Sequence, residues 1–269
     1  MPAVIHETYH PGGNCRRFED QRVLITAGAS GLGAGMAERF AGEGARVAVW
    51  DVNAENIAAR RNQRPGDDTL YREVDLLNRE SVAVAFEQTI EALQGIDILV
   101  NNAGGSLHTP QAFLEESDSD WARVMTLNLD VAVQMGRLVL PGMMGRGYGR
   151  IVNMGSKAGR FGSLFAGANY AASKGAVQSL TLQWAQEFGP KGITCNAVCP
   201  GAILTERVNR LLSERKTPEE RAEMEKGIPV GRHGTVEEVA AAVAFLASRE
   251  ASFINGVMLD VNGGQAMVA

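Results

Sequence analysis

Short apolar runs rich in β-branched residues alternate along this chain with longer stretches of helical periodicity. The runs 22–26, 46–50, 69–74, 96–101, 150–154, 193–198 and 257–260 read as strands. The stretches 32–43, 54–61, 79–93, 119–145, 169–188 and 235–248 read as helices. Strands that are apolar at nearly every position are buried on both faces, so the pattern predicts a parallel sheet covered on both sides by helices. Right-handed crossovers then give a doubly wound α/β fold. No internal repeat is visible and no linker divides the chain. The expectation is a single domain over 21–269, preceded by a loose extension over 1–20. Residues 202–226 break the rhythm. They are rich in Glu, Arg and Lys, read as a helical surface insert, and are expected to act as a lid.

Composition changes this picture at one point. Thirty-one of 269 residues are glycine, well above the roughly 7% of average proteins. Glycine is kept where backbone turns sharply or approaches something closely, so its positions become candidates for a site. The charge balance, 26 basic against 31 acidic residues, gives no basic footprint for nucleic acid or an anionic membrane. No apolar stretch reaches the roughly 20 residues of a membrane span, and no leader-like segment opens the chain. Cys15, Cys195 and Cys199 make an odd number. A disulfide scaffold is not expected; a cytoplasmic location and buried thiols are. Metal-ligand spacing is absent, so no metal is expected.

The first glycine cluster, Gly28, Ser30, Gly31, Leu32 and Gly33, follows an apolar strand and opens a helix. In that context backbone N–H groups and a helix N-terminus can face a pyrophosphate. A tight strand-to-helix turn without a ligand is the alternative. Asp51 ends the second strand, 18 residues after Gly33. A carboxylate there can accept from both ribose hydroxyls and repels a 2′-phosphate. No Arg or Lys lies in the 26–33 loop, so NAD is favoured over NADP. Asp51 could equally cap the next helix. Asp75, ending the third strand beside Leu76, could meet the adenine amino group or merely cap a helix.

Tyr170 and Lys174 stand four apart at the start of an alanine-rich helix and share a face. An ammonium near a phenol favours the phenolate. Bringing a phenol pKa near 10 to neutrality takes about 4 kcal/mol. One Lys would need help from a cationic ring and an excluded-water pocket.

With Asn101-Asn102-Ala103-Gly104 after the fourth strand, Asn128, Ser156, the Tyr170–Lys174 pair and Pro200-Gly201, the chain resembles the short-chain dehydrogenase/reductase superfamily over 21–264. The resemblance implies one Rossmann domain, seven parallel strands in the order 3-2-1-4-5-6-7, and a homotetramer. It implies that Tyr170 is the general acid/base and that Lys174 binds the nicotinamide ribose and lowers the tyrosine pKa. Ser156 would bond the substrate oxygen and Asn128 would hold a water of the proton relay. Asn102, Ala103 and Gly104 would support the adenosine side, and Pro200, Gly201, Ile203 and Thr205 would meet the carboxamide and diphosphate. Singly, Asn128 could serve a helix kink, and Ser156 or the paired asparagines a turn.

The chain departs from the family pattern in three places. Ala27 stands where the first glycine of the loop is usual; its methyl is tolerable if the backbone there is ordinary. Ser156 and Tyr170 are 14 apart, one more than is commonest, with the extra residue expected in 162–167. Lys157 follows Ser156 directly and reads as solvated. Gly105 to His108, the 160–165 loop and the 202–226 insert are the candidate substrate walls. The expected activity is NAD(H)-dependent interconversion of a small-molecule secondary alcohol and ketone. The alternatives are an NADPH-dependent 3-oxoacyl-carrier-protein reductase, suggested by Ile228 to Arg232, and a catalytically silent dinucleotide-binding regulator.

Overall fold

The computed structural model describes residues 16–64, 66–162, 166–215 and 217–267 of the chain. Seven strands are formed there: β1 (Arg22–Thr26), β2 (Arg46–Asp51), β3 (Leu70–Glu73), β4 (Ile98–Asn101), β5 (Gly149–Met154), β6 (Ile193–Pro200) and β7 (Met258–Val261). They make one parallel sheet in the order β3-β2-β1-β4-β5-β6-β7. The chain builds outward from β1 to β3, then returns to β4 and builds the other way. That reversal leaves a crevice beyond the carboxyl ends of β1 and β4.

The helices are α1 (Gly31–Gly42), α2 (Ala54–Gln63), α3 (Arg79–Leu93), α4 (Asp118–Met125), α5 (Val131–Arg146), α6 (Ala168–Phe188), α7 (Glu206–Arg215), α8 (Pro218–Lys226) and α9 (Val236–Ala247), and those other than α7 and α8 flank the sheet. Strand periodicity of two decides the layers. Val23 and Ile25 of β1 join one core with Phe40 of α1 and Val243 of α9. Leu24, between them, joins the opposite core with Trp50, Met135 of α5 and Trp184 of α6. Both faces of each inner strand are buried, so these runs are apolar at most positions. Trp50 keeps its one donor satisfied through the Thr89 hydroxyl at 3.0 Å. Among the described residues no helix is long and apolar enough to cross a membrane.

The structure differs from the sequence pattern in three places. The single helix expected over 119–145 is α4, a π turn over Thr126–Asp130, and α5. Its cause is Asn128, whose side-chain amide donates to the Val124 carbonyl at 2.8 Å and so enters the backbone ladder. The loose extension expected over 1–20 ends before residue 20. Phe18 is 1% exposed against Phe40, and Arg17 pairs with Glu43; residues 1–15, with Cys15, lie outside the described residues. The 202–226 insert resolves into α7 and α8. Here α8 and α9 start at the capping boxes of Thr217 with Glu220 and Thr235 with Glu238.

The backbone at Ala27 is not ordinary. Its φ of +51° is left-handed, which costs a residue bearing a Cβ about 1–2 kcal/mol. Part of that is offset by the freedom glycine would add to the unfolded chain, about 0.4–1 kcal/mol. Ala27→Gly is therefore expected to leave stability unchanged or raise it by up to about 1.5 kcal/mol. Ala37→Gly within α1 should instead cost about 1 kcal/mol. Urea denaturation of the two variants checks the contrast, and equal losses would contradict it.

Candidate active site

The crevice is held in shape by Thr26. Its buried hydroxyl accepts the backbone N–H groups of Asn102 and Ala103, each at 3.0 Å. The Asn102 side-chain amide donates back to the carbonyls of Thr26 at 3.0 Å and Ala27 at 2.8 Å. The β1–α1 turn and the end of β4 are thereby locked together across the strand reversal. Gly31 takes φ +52°, which glycine adopts without strain. A Cβ on Gly33 would strike the Ala27 carbonyl. Ser30 stands at the α1 N-cap and its side chain makes no capping bond. The first-turn N–H groups of α1 are left available to an anion.

Asp51 is buried at the end of β2. Its two carboxylate oxygens accept from the backbone N–H groups of Ala29 at 2.9 Å and Asn53 at 3.0 Å. The helix after β2 is capped by Asn53 itself, whose side chain accepts from Asn56 at 2.8 Å. Asp51 instead braces the glycine turn. Asp75 is exposed and closes a short turn through the Leu77 N–H at 2.9 Å, while Leu76 is buried in the core on the α3 side of the sheet.

The four residues of the expected catalytic set come from three elements. Ser156 follows β5, Tyr170 and Lys174 lie in the first two turns of α6, and Asn128 sits in the π turn. Lys174 is buried, with Nζ donating to the Met154 carbonyl at 2.7 Å and lying 5.8 Å from the Tyr170 ring centre. Burial pulls its pKa down to about 8. Burial also pushes the Tyr170 phenol above its usual range, and a hydrogen bond with the Ser156 side chain opposes that rise. Asn128 is fixed at both ends. Its amide donates to the Gly105 carbonyl at 3.0 Å and its oxygen accepts the Gly105 N–H at 3.1 Å. Gly104 leaves room for this contact, since a Cβ there would lie 2.5 Å from Asn128 Oδ1 and 3.0 Å from Lys174 Nζ.

Ser156, Tyr170 and Lys174 open into one cavity of about 980 Å³. Ser30, Gly31, Leu32 and Gly33 of the glycine turn, with Asn102 and Gly104, line the same space. So do Pro200, Gly201, Ile203 and Thr205 after β6. Gly28, Asp51, Asp75, Leu76, Ala103 and Asn128 stand outside the lining residues, although Ala103 lies between Asn102 and Gly104, which line it. Sequence reasoning missed Asn56, one turn into α2 and in the cavity wall, and Gln178, whose amide donates to the Ser156 carbonyl at 3.0 Å. Gln178 lies one turn beyond Lys174 on the same helix, which is the signal that could have found it. Gly155 allows β5 to approach β6, where a Cβ would come 2.8 Å from the Cys199 sulfur. Burial pushes that thiol up to about 11. The loop positions 163–165 lie outside the described residues.

A cavity lined by bare helix N–H groups at one side and by buried Lys174 and half-buried Tyr170 at the other suits a nicotinamide dinucleotide. The uncapped first turn of α1 fits the diphosphate, and the fold and site together define a dinucleotide-dependent oxidoreductase. A family model described as Enoyl-(Acyl carrier protein) reductase matches residues 26–266. The chain is similar to 2-dehydro-3-deoxy-L-rhamnonate dehydrogenase (NAD(+)) of Sphingomonas, 37% identical over 93% of this chain and 96% of that protein. It is also similar to 3-oxoacyl-acyl-carrier-protein reductase FabG of Vibrio cholerae, 36% identical over 93% and 99%. A solved 3-oxoacyl-acyl-carrier-protein reductase of Brucella melitensis with bound NAD superimposes with a TM-score of 0.84, at 31% identity over 95% of this chain and 94% of that one. The chain belongs to the short-chain dehydrogenase/reductase superfamily, whose members act on CH–OH donors.

The lowered pKa of Lys174 has a consequence for stability. Between about pH 8 and the ordinary lysine value of 10.5, the unfolded chain keeps a proton that the folded chain has lost. The penalty for burying the ammonium is full below pH 8 and is relieved as pH rises through that window. The stability advantage of Lys174→Met over the parent should therefore shrink with pH, by at most about 1.4 kcal/mol per unit. Denaturant unfolding at pH 7, 8.5 and 10 checks this; a constant difference would contradict it.

Proposed function

We propose that this chain is an NAD(H)-dependent dehydrogenase that interconverts a secondary alcohol and a ketone. The observation that carries the reading is the convergence of Ser156, Tyr170 and Lys174 in the cavity that the glycine turn also lines. When bound, the nicotinamide dinucleotide takes up or returns the hydride. Tyr170 exchanges the proton with the carbinol oxygen, and Ser156 holds that oxygen by a hydrogen bond. Lys174 binds the ribose and adds positive charge beside the phenol. Asn128, anchored to Gly105, holds the water that continues the relay.

Asp51 is the basis for preferring NAD. One of its oxygens accepts from the Ala29 N–H of the turn and the other from the Asn53 N–H, and each keeps a further lone pair for a ribose hydroxyl. Its fixed negative charge repels a 2′-phosphate. The second reading, an NADPH-dependent 3-oxoacyl-carrier-protein reductase, is favoured by the likeness to the Vibrio protein and opposed by Asp51. The α7–α8 insert serves as the lid, a role supported by Glu206 and Val208 in the cavity wall. We further propose a cytoplasmic homotetramer, with the α4–α5 and α6 helices in one interface and the region of β7 in the other. Exposed Leu182 on α6 and Phe253 before β7 support those faces.

The test is a panel of acyclic hydroxyketones, keto sugar acids and a 3-oxoacyl thioester, with the matching alcohols, assayed with both cofactors. At least one non-thioester pair should turn over, with preference for NAD(H). Tyr170→Phe should lower turnover by more than about 100-fold while leaving NADH binding intact. Asp51→Ala should narrow the preference for NAD over NADP by about tenfold, near 1.4 kcal/mol. Unchanged turnover in Tyr170→Phe overturns the mechanism, and a parent enzyme that prefers NADPH overturns the cofactor assignment.

A further inference from the structure

The loop between β4 and α4 carries backbone that the proposed reaction does not use. Leu107 and His108 adopt φ +52° and +56° in succession. Side-chain-bearing residues rarely take this conformation, and two together persist only where surrounding contacts over-determine them. Asn169, directly before Tyr170, is polar yet 0% exposed. Its hydrogen bonds join these two features. The Thr109 hydroxyl donates to the Ser106 carbonyl at 3.0 Å and closes the left-handed turn. Asn169 Nδ2 donates to that hydroxyl at 3.2 Å, and Asn169 Oδ1 accepts the backbone N–H of Tyr170 at 2.6 Å. The backbone N–H of Asn169 donates to Glu116 Oε2 at 3.2 Å.

These bonds answer a need of α6 itself. The first N–H groups of a helix have no partner within it, and the N-cap of α6, Gly167, offers no side chain. Glu116 and the Asn169 amide take the N–H groups of Asn169 and Tyr170 instead. A Cβ on Gly167 would collide with the Glu116 carboxylate, so the missing side chain makes space for the clamp. Ser106 and Tyr170, at the two ends of the relay, both line the cavity.

We propose that Asn169, Thr109 and Glu116 form a positioning clamp that ties the strained substrate wall to the backbone of Tyr170, so that wall and acid/base are set as one unit. The proposal rests on the reading of Tyr170 as acid/base. The clamp touches neither substrate nor cofactor in this role; it fixes where the phenol stands relative to the carbinol carbon.

Two measurements on the full chain test it. The first is hydrogen exchange without substrate. Asn169→Ala and Thr109→Val should each speed exchange in both segments, 106–110 and the first turn of α6. Faster exchange confined to the segment that carries the substitution overturns the coupling. The second is turnover of the best ketone in the panel, with NADH affinity followed by fluorescence. Asn169→Ala should lower kcat by about 10- to 100-fold with NADH affinity within about twofold. Thr109→Val should lower kcat in the same direction and Thr109→Ser should restore it. Folded variants with unchanged kcat, or a loss of NADH binding equal to the loss of turnover, overturn the proposal. Tyr170→Phe run alongside separates the cases. If it retains turnover the acid/base reading has failed, whereas if it is inactive while Asn169→Ala is fully active only the clamp has.

Discussion

A parallel sheet buried on both faces leaves polar chemistry room only at its strand ends. In this chain Val23, Ile25, Val47 and Val49 face one core and Leu24, Ala48 and Trp50 the other. No inner position can carry an exposed polar group without desolvation, which costs kilocalories unless a partner is supplied. Some of the polar residues that do occur inside pair across elements. The Asn101 amide donates to the Asn153 oxygen at 2.8 Å, and the Asn153 amide donates to the Thr181 hydroxyl at 2.8 Å. The place where polar groups can converge is the carboxyl rim, and the reversal between β1 and β4 opens it into a crevice.

The Thr26–Asn102 lock follows from that constraint. Two turns must diverge at the reversal to admit a ligand, yet remain fixed to bind it repeatedly. A hydroxyl that accepts two N–H groups from the neighbouring strand end, answered by an amide that donates to two carbonyls, meets both demands with side chains small enough to leave the crevice open. Asp51 extends the brace to β2 through the Ala29 N–H. The glycine turn is thus held on two sides by buried polar contacts and kept bare on the third.

The layer order and the strands were legible because double burial imposes a composition on every inner strand. The glycine turn and the Tyr170–Lys174 pair were legible because bare backbone after a strand and a four-residue helical spacing are local signals. Four features were not. The π turn at Asn128 depends on a side chain entering the ladder of its own helix; Asn128 stands out as a possible kink residue, but the periodicity of 119–145 does not show the extra residue in the turn. Phe18 belongs to the core only through Phe40 and Glu43, which follow it by more than twenty positions. The left-handed backbone of Ala27 contradicts its residue type; its position in the family pattern pointed to it, whereas its own side chain did not. Asn169 looked like any polar residue at a helix start, because its partners Thr109 and Glu116 lie more than fifty positions away.

The protonation state of the site places a last demand on the reaction. Lys174, with a pKa near 8, remains largely charged at neutral pH. Tyr170 remains a phenol, since burial outweighs the Ser156 hydrogen bond. A half-buried phenol beside a buried ammonium is prepared to give a proton, as reduction of a ketone requires. Oxidation requires the phenolate, and the charge that favours it must be placed in the crevice itself, close enough for low-dielectric Coulomb attraction to count. The oxidised nicotinamide ring carries that charge when bound. In the proposed reaction the direction of proton transfer is therefore set by which form of the dinucleotide occupies the cavity, and the chain's own residues are balanced to follow it.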